Sequence, residues 1–341
     1  METSIDMATR KQLLWFGAST AIIVALVLLA DINKFIEAVS RADKSYLVAA
    51  LVIGMLPFFV WTNTWYSFLN KMGAEVSYLQ TFKLFMAGNF MNSVTPLGQF
   101  GGEPLMAYVI RKNTDLSYEE GFSAVLSSDI INSIPIFTFI LSGSAFLLLF
   151  GSINDVIAQA VYIAIVVVAL GGSLAYTLWF KAGTIENAIL QALRKVTDVL
   201  GVGKNHVKTV DSKLDNVQEA FNRIGEDPRH LIRTATVAHA YFVFQVFTLY
   251  LILASMGIES DFTPLYFILP MASLSNFSPT PGGSGAYEAT LATILTVMPL
   301  SLFPEVTFAT ALAVGILFRL CTYWPGLIIG YFSLLGIGGV E

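Results

Sequence analysis

Residues 79–110 read LQTFKLFMAGNFMNSVTPLGQFGGEPLMAYVI. An apolar half, Leu79 to Met91, stops at the interruption Asn92-Ser93-Val94-Thr95-Pro96-Leu97-Gly98-Gln99-Phe100-Gly101-Gly102-Glu103-Pro104. It resumes as Leu105 to Ile110 and closes on Arg111-Lys112. A helix crossing a bilayer needs about 20 apolar residues, and neither half has them. Two short apolar pieces split by Gly and Pro describe a re-entrant hairpin or a broken helix. Its backbone cannot face lipid, where N–H and C=O groups would go unpaired. The stretch therefore belongs inside protein or against a watery cavity.

The same pattern returns later. Pro264 to Ser275 is apolar, Asn276-Phe277-Ser278-Pro279-Thr280-Pro281-Gly282-Gly283-Ser284-Gly285-Ala286-Tyr287-Glu288 interrupts, and Ala289 to Met298 is apolar again. Each interruption holds Asn, then Thr-Pro, then glycines, then Glu, with the Glu seven residues after the Pro (96 to 103, 281 to 288). Asn92 precedes its Pro by four residues and Asn276 by five. Matched Gly/Pro-broken segments in two halves are the expected mark of an internally duplicated transporter. The expected halves are about 46–150 and 231–335.

The rest of the chain supports a membrane setting. Of 341 residues, 55% are apolar and 13% charged, about half the usual charged share of a soluble domain. The net charge of −5, without a basic patch, speaks against nucleic acid as a partner. A single Cys excludes a disulfide framework and a cysteine metal cluster. Full spans are expected over 13–30, 46–69, 121–150, 156–180, 231–255 and 306–335. The fold expected is thus all-α and polytopic, with about six spans and two oppositely oriented re-entrant hairpins in an inverted repeat. Glu2 and Asp6 spoil the basic start of a cleaved signal, so the first run reads as an anchor. Residues 31–44 carry apolar positions at helical spacing among charges, as an interfacial helix does. Trp61, Trp65 and Tyr66 near the end of the second span fit an interfacial aromatic belt. Residues 181–230, with eight Lys/Arg and seven Asp/Glu, read as amphipathic helices on the cytoplasmic surface.

Lys and Arg favour the cytoplasmic side. With the N-terminus inside and each hairpin returning to its own side, fifteen of the nineteen Lys/Arg fall inside. Lys34, Arg41 and Lys44 fall outside, and Arg319 stays in the membrane. The expected location is the cell membrane, with the first hairpin entering from the cytoplasm and the second from the exterior.

Ionisable side chains within spans are candidate functional groups by default. Glu103 and Glu288 stand where apolar half-helices begin; helix capping is the structural alternative. They are candidates to balance charge or relay protons. Arg319 lies too deep to snorkel and must meet a carboxylate, a phosphate or water. Its planar fork suits phosphate, and a salt bridge to Glu103 or Glu288 is the alternative. Asp129, within Ser127-Ser128-Asp129-Ile130-Ile131-Asn132-Ser133, lines the same cavity or makes a helix–helix contact. His239 reads as a packing residue. No nucleotide-binding loop, hydrolase elbow or His/Cys metal spacing occurs, so no cofactor or metal is implied.

These residues resemble a known family. Asn92-Ser93-Val94-Thr95-Pro96 with Gly101-Gly102-Glu103-Pro104 and Arg111, Pro279 through Glu288, and Arg319 with Tyr323-Trp324 together resemble the flippase-like membrane proteins related to the transmembrane region of lysylphosphatidylglycerol synthase. The resemblance implies movement of lipids, or lipid-linked phosphate intermediates, between leaflets. The synthases' soluble aminoacyltransferase domain is not matched, so their synthase activity is not carried over. The expected partners are phospholipids or polyprenyl phosphates, with proton or ion coupling. Repeat and resemblance together nominate Asn92, Thr95, Pro96, Gly101, Gly102, Glu103, Arg111, Asp129, Asn276, Thr280, Pro281, Gly282, Gly283, Glu288, Arg319 and Tyr323 as substrate-binding residues. The rival function is an intramembrane lipid-phosphate transferase or hydrolase, which would need a nucleophile or metal beside the carboxylates.

Overall fold

The computed structural model describes residues 21, 23–28, 31–94, 102–150, 155–180, 222–278, 280–297 and 306–337. Regular structure among these residues is entirely helical. In chain order the helices are α1 (Ile32–Arg41), α2 (Lys44–Lys71), α3 (Tyr78–Val94), α4 (Glu103–Asn113), α5 (Tyr118–Phe150) and α6 (Asp155–Phe180). They continue as α7 (Pro228–Ser255), α8 (Phe262–Ser273), α9 (Ala286–Val297), α10 (Phe308–Thr322) and α11 (Trp324–Gly336). Segments 44–71, 118–146, 228–255 and 308–336 are each long and apolar enough to cross a membrane. The chain is an all-α polytopic membrane protein. The helix expected over 31–44 is α1, capped by Asp31 and without a buried residue. The first expected span lies mostly outside the described residues, as does the polar insert up to residue 221.

α2 and α7 are built alike. Each runs 28 residues. Each starts on an Asp whose carboxylate caps the first turn: Asp43 accepts from the Ser45 N–H at 2.8 Å and Asp227 from the His230 N–H at 3.1 Å. Each ends on Met-Gly-x-Glu, Met72-Gly73-Ala74-Glu75 and Met256-Gly257-Ile258-Glu259. Gly73 and Gly257 adopt φ of 93° and 70°, a left-handed turn that costs a side chain but not glycine. The following amides, on Ala74 and Ile258, reach back to the Leu69 and Leu253 carbonyls at 3.0 Å, closing the same helix stop twice.

The two helices pack antiparallel along their length. The Asp43 N–H donates to the Ser255 carbonyl at 2.7 Å at one end, and Lys71 Nζ lies 3.7 Å from Asp227 Oδ2 at the other. Asp43 corresponds to Asp227 and Lys71 to Ser255, so the contact is self-complementary, as across a two-fold axis. Midway, Trp61 stacks on Tyr241 with ring centroids 4.3 Å apart.

The short helices fill against the long ones through glycines. α8 lies on α5, where a Cβ on Gly143 would come within 2.7 Å of Phe267 Cβ. α3 lies on α11, where a Cβ on Gly330 would come within 2.5 Å of the Met86 carbonyl oxygen. Such approaches are possible only without a side chain.

The last expected span, found over 308–336, is divided into two helical pieces. α10 ends at Thr322 and α11 begins at Trp324-Pro325. Pro325 has no N–H to continue the ladder and its ring crowds the preceding turn. Tyr323, between the pieces and one turn beyond Arg319, lays its ring over that side chain, with 3.6 Å between guanidinium carbon and ring centroid.

Candidate functional site: a central cavity with a buried arginine

A cavity of about 570 Å³ opens among α2, α3, α5, α7 and α10. Both interruptions contribute to its wall: Asn92 and Glu103 from the first, Asn276 and Gly282 from the second. Asp129, Arg319 and Tyr323 are among its other polar lining residues. Its apolar walls come from two separate hydrophobic clusters, Phe58, Trp65, Phe85 and Met106 in one and Phe242, Leu269, Tyr287 and Phe318 in the other.

Arg319 is 6% exposed, and its charge is met locally. Nε lies 3.4 Å from Glu288 Oε1, an ion pair without an aligned hydrogen bond. Nη2 donates to the Gly282 carbonyl at 2.6 Å and to Ser284 Oγ at 3.3 Å. Nη1 makes none of these contacts, which leaves it the uncommitted donor on a group that lines the cavity. The Tyr287 ring sits 5.3 Å away, so aromatic faces embrace the cation in addition to Tyr323.

The second interruption is shaped to receive that arginine. Gly282, Gly283 and Gly285 take φ of 55°, 70° and 84°, the left-handed region where glycine pays no steric penalty. A Cβ on Gly282 would overlap the Tyr323 hydroxyl, and one on Gly283 would come within 2.8 Å of Asn276 Oδ1. Glu288 Oε2 accepts the Gly285 N–H at 2.7 Å, the return half of a helix-start capping pair. Glu288 thus caps α9 and pairs with Arg319 together, which joins the two roles that the sequence posed as alternatives.

The first interruption ends differently. A Cβ on Gly102 would overlap the Asn92 carboxamide, so again an Asn side chain packs on bare glycine backbone. Glu103, 8% exposed, opens α4 and faces the cavity. Asp129 of α5 lines the same cavity, and neither carboxyl meets a cation at ion-pair distance among the described residues. The cavity wall therefore holds an arginine already paired with Glu288 and two carboxyl groups, Glu103 and Asp129.

Several nominated residues stand apart from this wall. Arg111 is exposed on the last turn of α4, about 12 Å along the helix from Glu103. Thr280 is tied to Ser278 Oγ at 2.8 Å, and Pro281 and Gly283 are buried in the turn behind Gly282. Thr95, Pro96 and Gly101 lie outside the described residues. His239 engages both ring nitrogens, with Thr138 Oγ1 at 2.8 Å and the Ala235 carbonyl at 2.7 Å, as a packing residue does. No group of three metal-ligating side chains occurs among the described residues.

Several wall residues escaped the sequence reading. Trp61 and Trp65, which the sequence offered as an aromatic belt, line the cavity, and Gln245 lines it from α7. Their signal was present: α2 and α7 superpose in sequence at a constant interval of 184 residues, from Asp43/Asp227 to Met72-Gly73/Met256-Gly257. Trp61 and Gln245 share one register in that comparison.

A model of the lysylphosphatidylglycerol synthase transmembrane region matches residues 16–330. The chain belongs to that family. Similar proteins include a UPF0104 membrane protein of Pyrococcus horikoshii, 23% identical over 330 residues and covering 94% of this chain and 95% of the relative. A UPF0104 membrane protein of Methanothermobacter thermautotrophicus is 23% identical, covering 89% and 88%. Another, of Methanocaldococcus jannaschii, is 21% identical, covering 92% and 91%. The matched region of the lysylphosphatidylglycerol synthase transmembrane family takes in both interruptions and Arg319, so the whole cavity lies inside it.

Proposed function

We propose that the chain moves a phosphate-bearing lipid, of the phospholipid or polyprenyl-phosphate type, between the leaflets of the cell membrane. The head group passes through the central cavity while its tails stay in lipid. Arg319 carries this reading: a guanidinium at 6% exposure, held by Glu288 and Tyr323, yet keeping Nη1 free at a cavity wall. A phosphate oxygen takes that donor, and the neighbouring indole and carboxamide groups solvate the rest of the head. The interruptions act as opposed re-entrant hairpins of an inverted repeat, which the antiparallel pairing of α2 and α7 supports. Rocking of one half against the other alternates access, with the N-terminus and the 181–230 insert on the cytoplasmic side.

The test uses purified protein in vesicles holding a head-group-labelled phosphatidylglycerol. Wild type moves the label between leaflets; Arg319→Ala reduces the rate at least about tenfold, and Arg319→Lys recovers little of it, since an ammonium offers neither the fork nor the stacking plane. Equal rates for Arg319→Ala and wild type overturn the reading. A chemically new lipid on mass analysis favours the transferase or hydrolase instead.

A further inference from the structure

The cavity offers an incoming phosphate only part of Arg319. Tyr323 lies 3.6 Å and Tyr287 5.3 Å from the guanidinium carbon. Aromatic rings thus claim the space over its plane, and an anion approaches along an edge of the fork. The end edge holds Nη1, which is uncommitted, beside Nη2, which already donates to the Gly282 carbonyl and to Ser284 Oγ. The side edge holds Nε and the same Nη2, and there Glu288 Oε1 stands 3.4 Å from Nε. Neither edge presents two open donors. A phosphate therefore starts on Nη1 alone and gains the side edge only by taking the place of the Glu288 carboxylate. That carboxylate is held so that it can let go. Its contact with Nε is an ion pair without a hydrogen bond. Its other oxygen is held independently by the Gly285 N–H at 2.7 Å, so α9 keeps its cap when the arginine changes partner. Displacement alone would leave a charge stranded. Glu288 is buried, and Arg319 is the only cation among the cavity's described lining residues, which also include Glu103 and Asp129. A phosphate and a carboxylate sharing one guanidinium would bury an uncompensated negative charge. A proton on the carboxylate removes it.

We propose that Glu288 is a resident stand-in for the head-group phosphate: a lipid phosphate displaces it from Arg319, and the displaced carboxylate takes up one proton. The new O–H bond forms on Glu288 with a proton from water, and the guanidinium keeps its own protons throughout. The arginine exchanges a carboxylate for a phosphate, so the charge of the site is the same before and after. Release of the lipid into the other leaflet reverses both steps, and one proton travels with each phosphate. The titratable groups on the elements packed against α9 are Arg319 and Cys321 on α10 and Tyr266 on α8; the 274–277 turn has none. Tyr287 precedes Glu288 on α9 itself, and Tyr323 stands over Arg319. Of these groups only Arg319 meets Glu288 at ion-pair distance, so the carboxylate's charge is set by whether that cation is shared.

This exchange rests on the lipid reading, and its test is binding rather than movement. The detergent-solubilised full chain is titrated calorimetrically with dihexanoyl phosphatidylglycerol, a diester whose phosphate stays singly charged, in buffers of different ionisation heat. Wild type should take up about one proton per lipid bound, and its affinity should rise severalfold for each unit of acidification over the range where uptake occurs. Glu288→Gln keeps an oxygen for the Gly285 N–H but no longer competes as an anion. It should bind the lipid about tenfold tighter or more at mildly alkaline pH, with neither proton uptake nor pH dependence. Because its Arg319 lacks a carboxylate, the empty variant should melt below wild type and gain more from saturating lipid than wild type does. Proton uptake that persists in Glu288→Gln, or an affinity no tighter than wild type, overturns the exchange. The wild-type proton count decides the matter even if the variant does not fold: lipid bound without a proton overturns the exchange and leaves the lipid reading standing. Wild type that binds none of this lipid overturns both.

Discussion

Arg319 and Glu288 illustrate how a buried charge fixes its surroundings. Removing Arg319 leaves Glu288, at 2% exposure, without its cation; breaking a buried pair costs about 3–5 kcal/mol. Arg319→Ala should therefore lower thermal stability as well as transport, and Arg319→Ala with Glu288→Gln should recover part of the stability and none of the transport. A melting series on the three variants checks this. Gly282→Ala is the sharper probe of shape. It places a side chain at φ 55° and against the Tyr323 ring, so a loss of about 1–3 kcal/mol is expected. Shortening Tyr323 to Leu relieves the clash and not the backbone strain, so rescue should be incomplete.

At the scale of helices, the ends of α2 and α7 offer two direct tests. Ser67 Oγ and Thr234 Oγ1 lie 3.3 Å apart across the seam. Oxidation of Ser67→Cys/Thr234→Cys in a Cys321→Ser background should give a crosslink within one chain, detected after cleavage of the 181–230 insert; none would contradict the antiparallel pairing. Asp227 gives the second. The His230 N–H first, and Lys71 with it, hold its carboxyl below the usual carboxylate value. A native value below the unfolded one adds stability above the ordinary carboxylate range and loses it as pH falls through the native value. Asp227→Asn keeps the cap, lacks this titration, and should flatten the acid limb of unfolding below about pH 4. The helices themselves were legible in the sequence, because Asp caps, Met-Gly stops and apolar runs are local signals. The division at Tyr323 was not, although Pro325 marked it, because a long run that is apolar but for Arg319 masked one missing N–H. That Trp61 and Trp65 line a cavity was hidden for a related reason: an aromatic near a span's end reads the same at an interface and beside an internal cavity until the partner helix is placed.

For the molecule as a whole, the question is which ends share a side of the membrane. Glu75 and Glu259 are exposed, follow matching helix stops, and close opposite ends of an antiparallel pair. Single cysteines at these two sites, in a Cys321→Ser background, should react with an impermeant thiol reagent from opposite faces of oriented vesicles. Reaction of both from one face would break the inverted arrangement. The location of the cavity could be anticipated from Gly/Pro-broken segments and a stranded arginine. That Glu288 meets Arg319 could not, since the matched segments set Glu103 beside Glu288 in sequence and do not say which of them the arginine reaches.

The Trp61–Tyr241 stack on the α2–α7 seam gives the cavity an optical handle. The indole lies face-on to the phenol at 4.3 Å, and its buried N–H has no acceptor. An occupant that offers an oxygen to that N–H, or that pries the rings apart, alters the emission colour and lifetime of this one fluorophore. With Trp15, Trp65, Trp179 and Trp324 replaced by Phe, loading and emptying can be followed in real time by light alone, with no tag on the cargo.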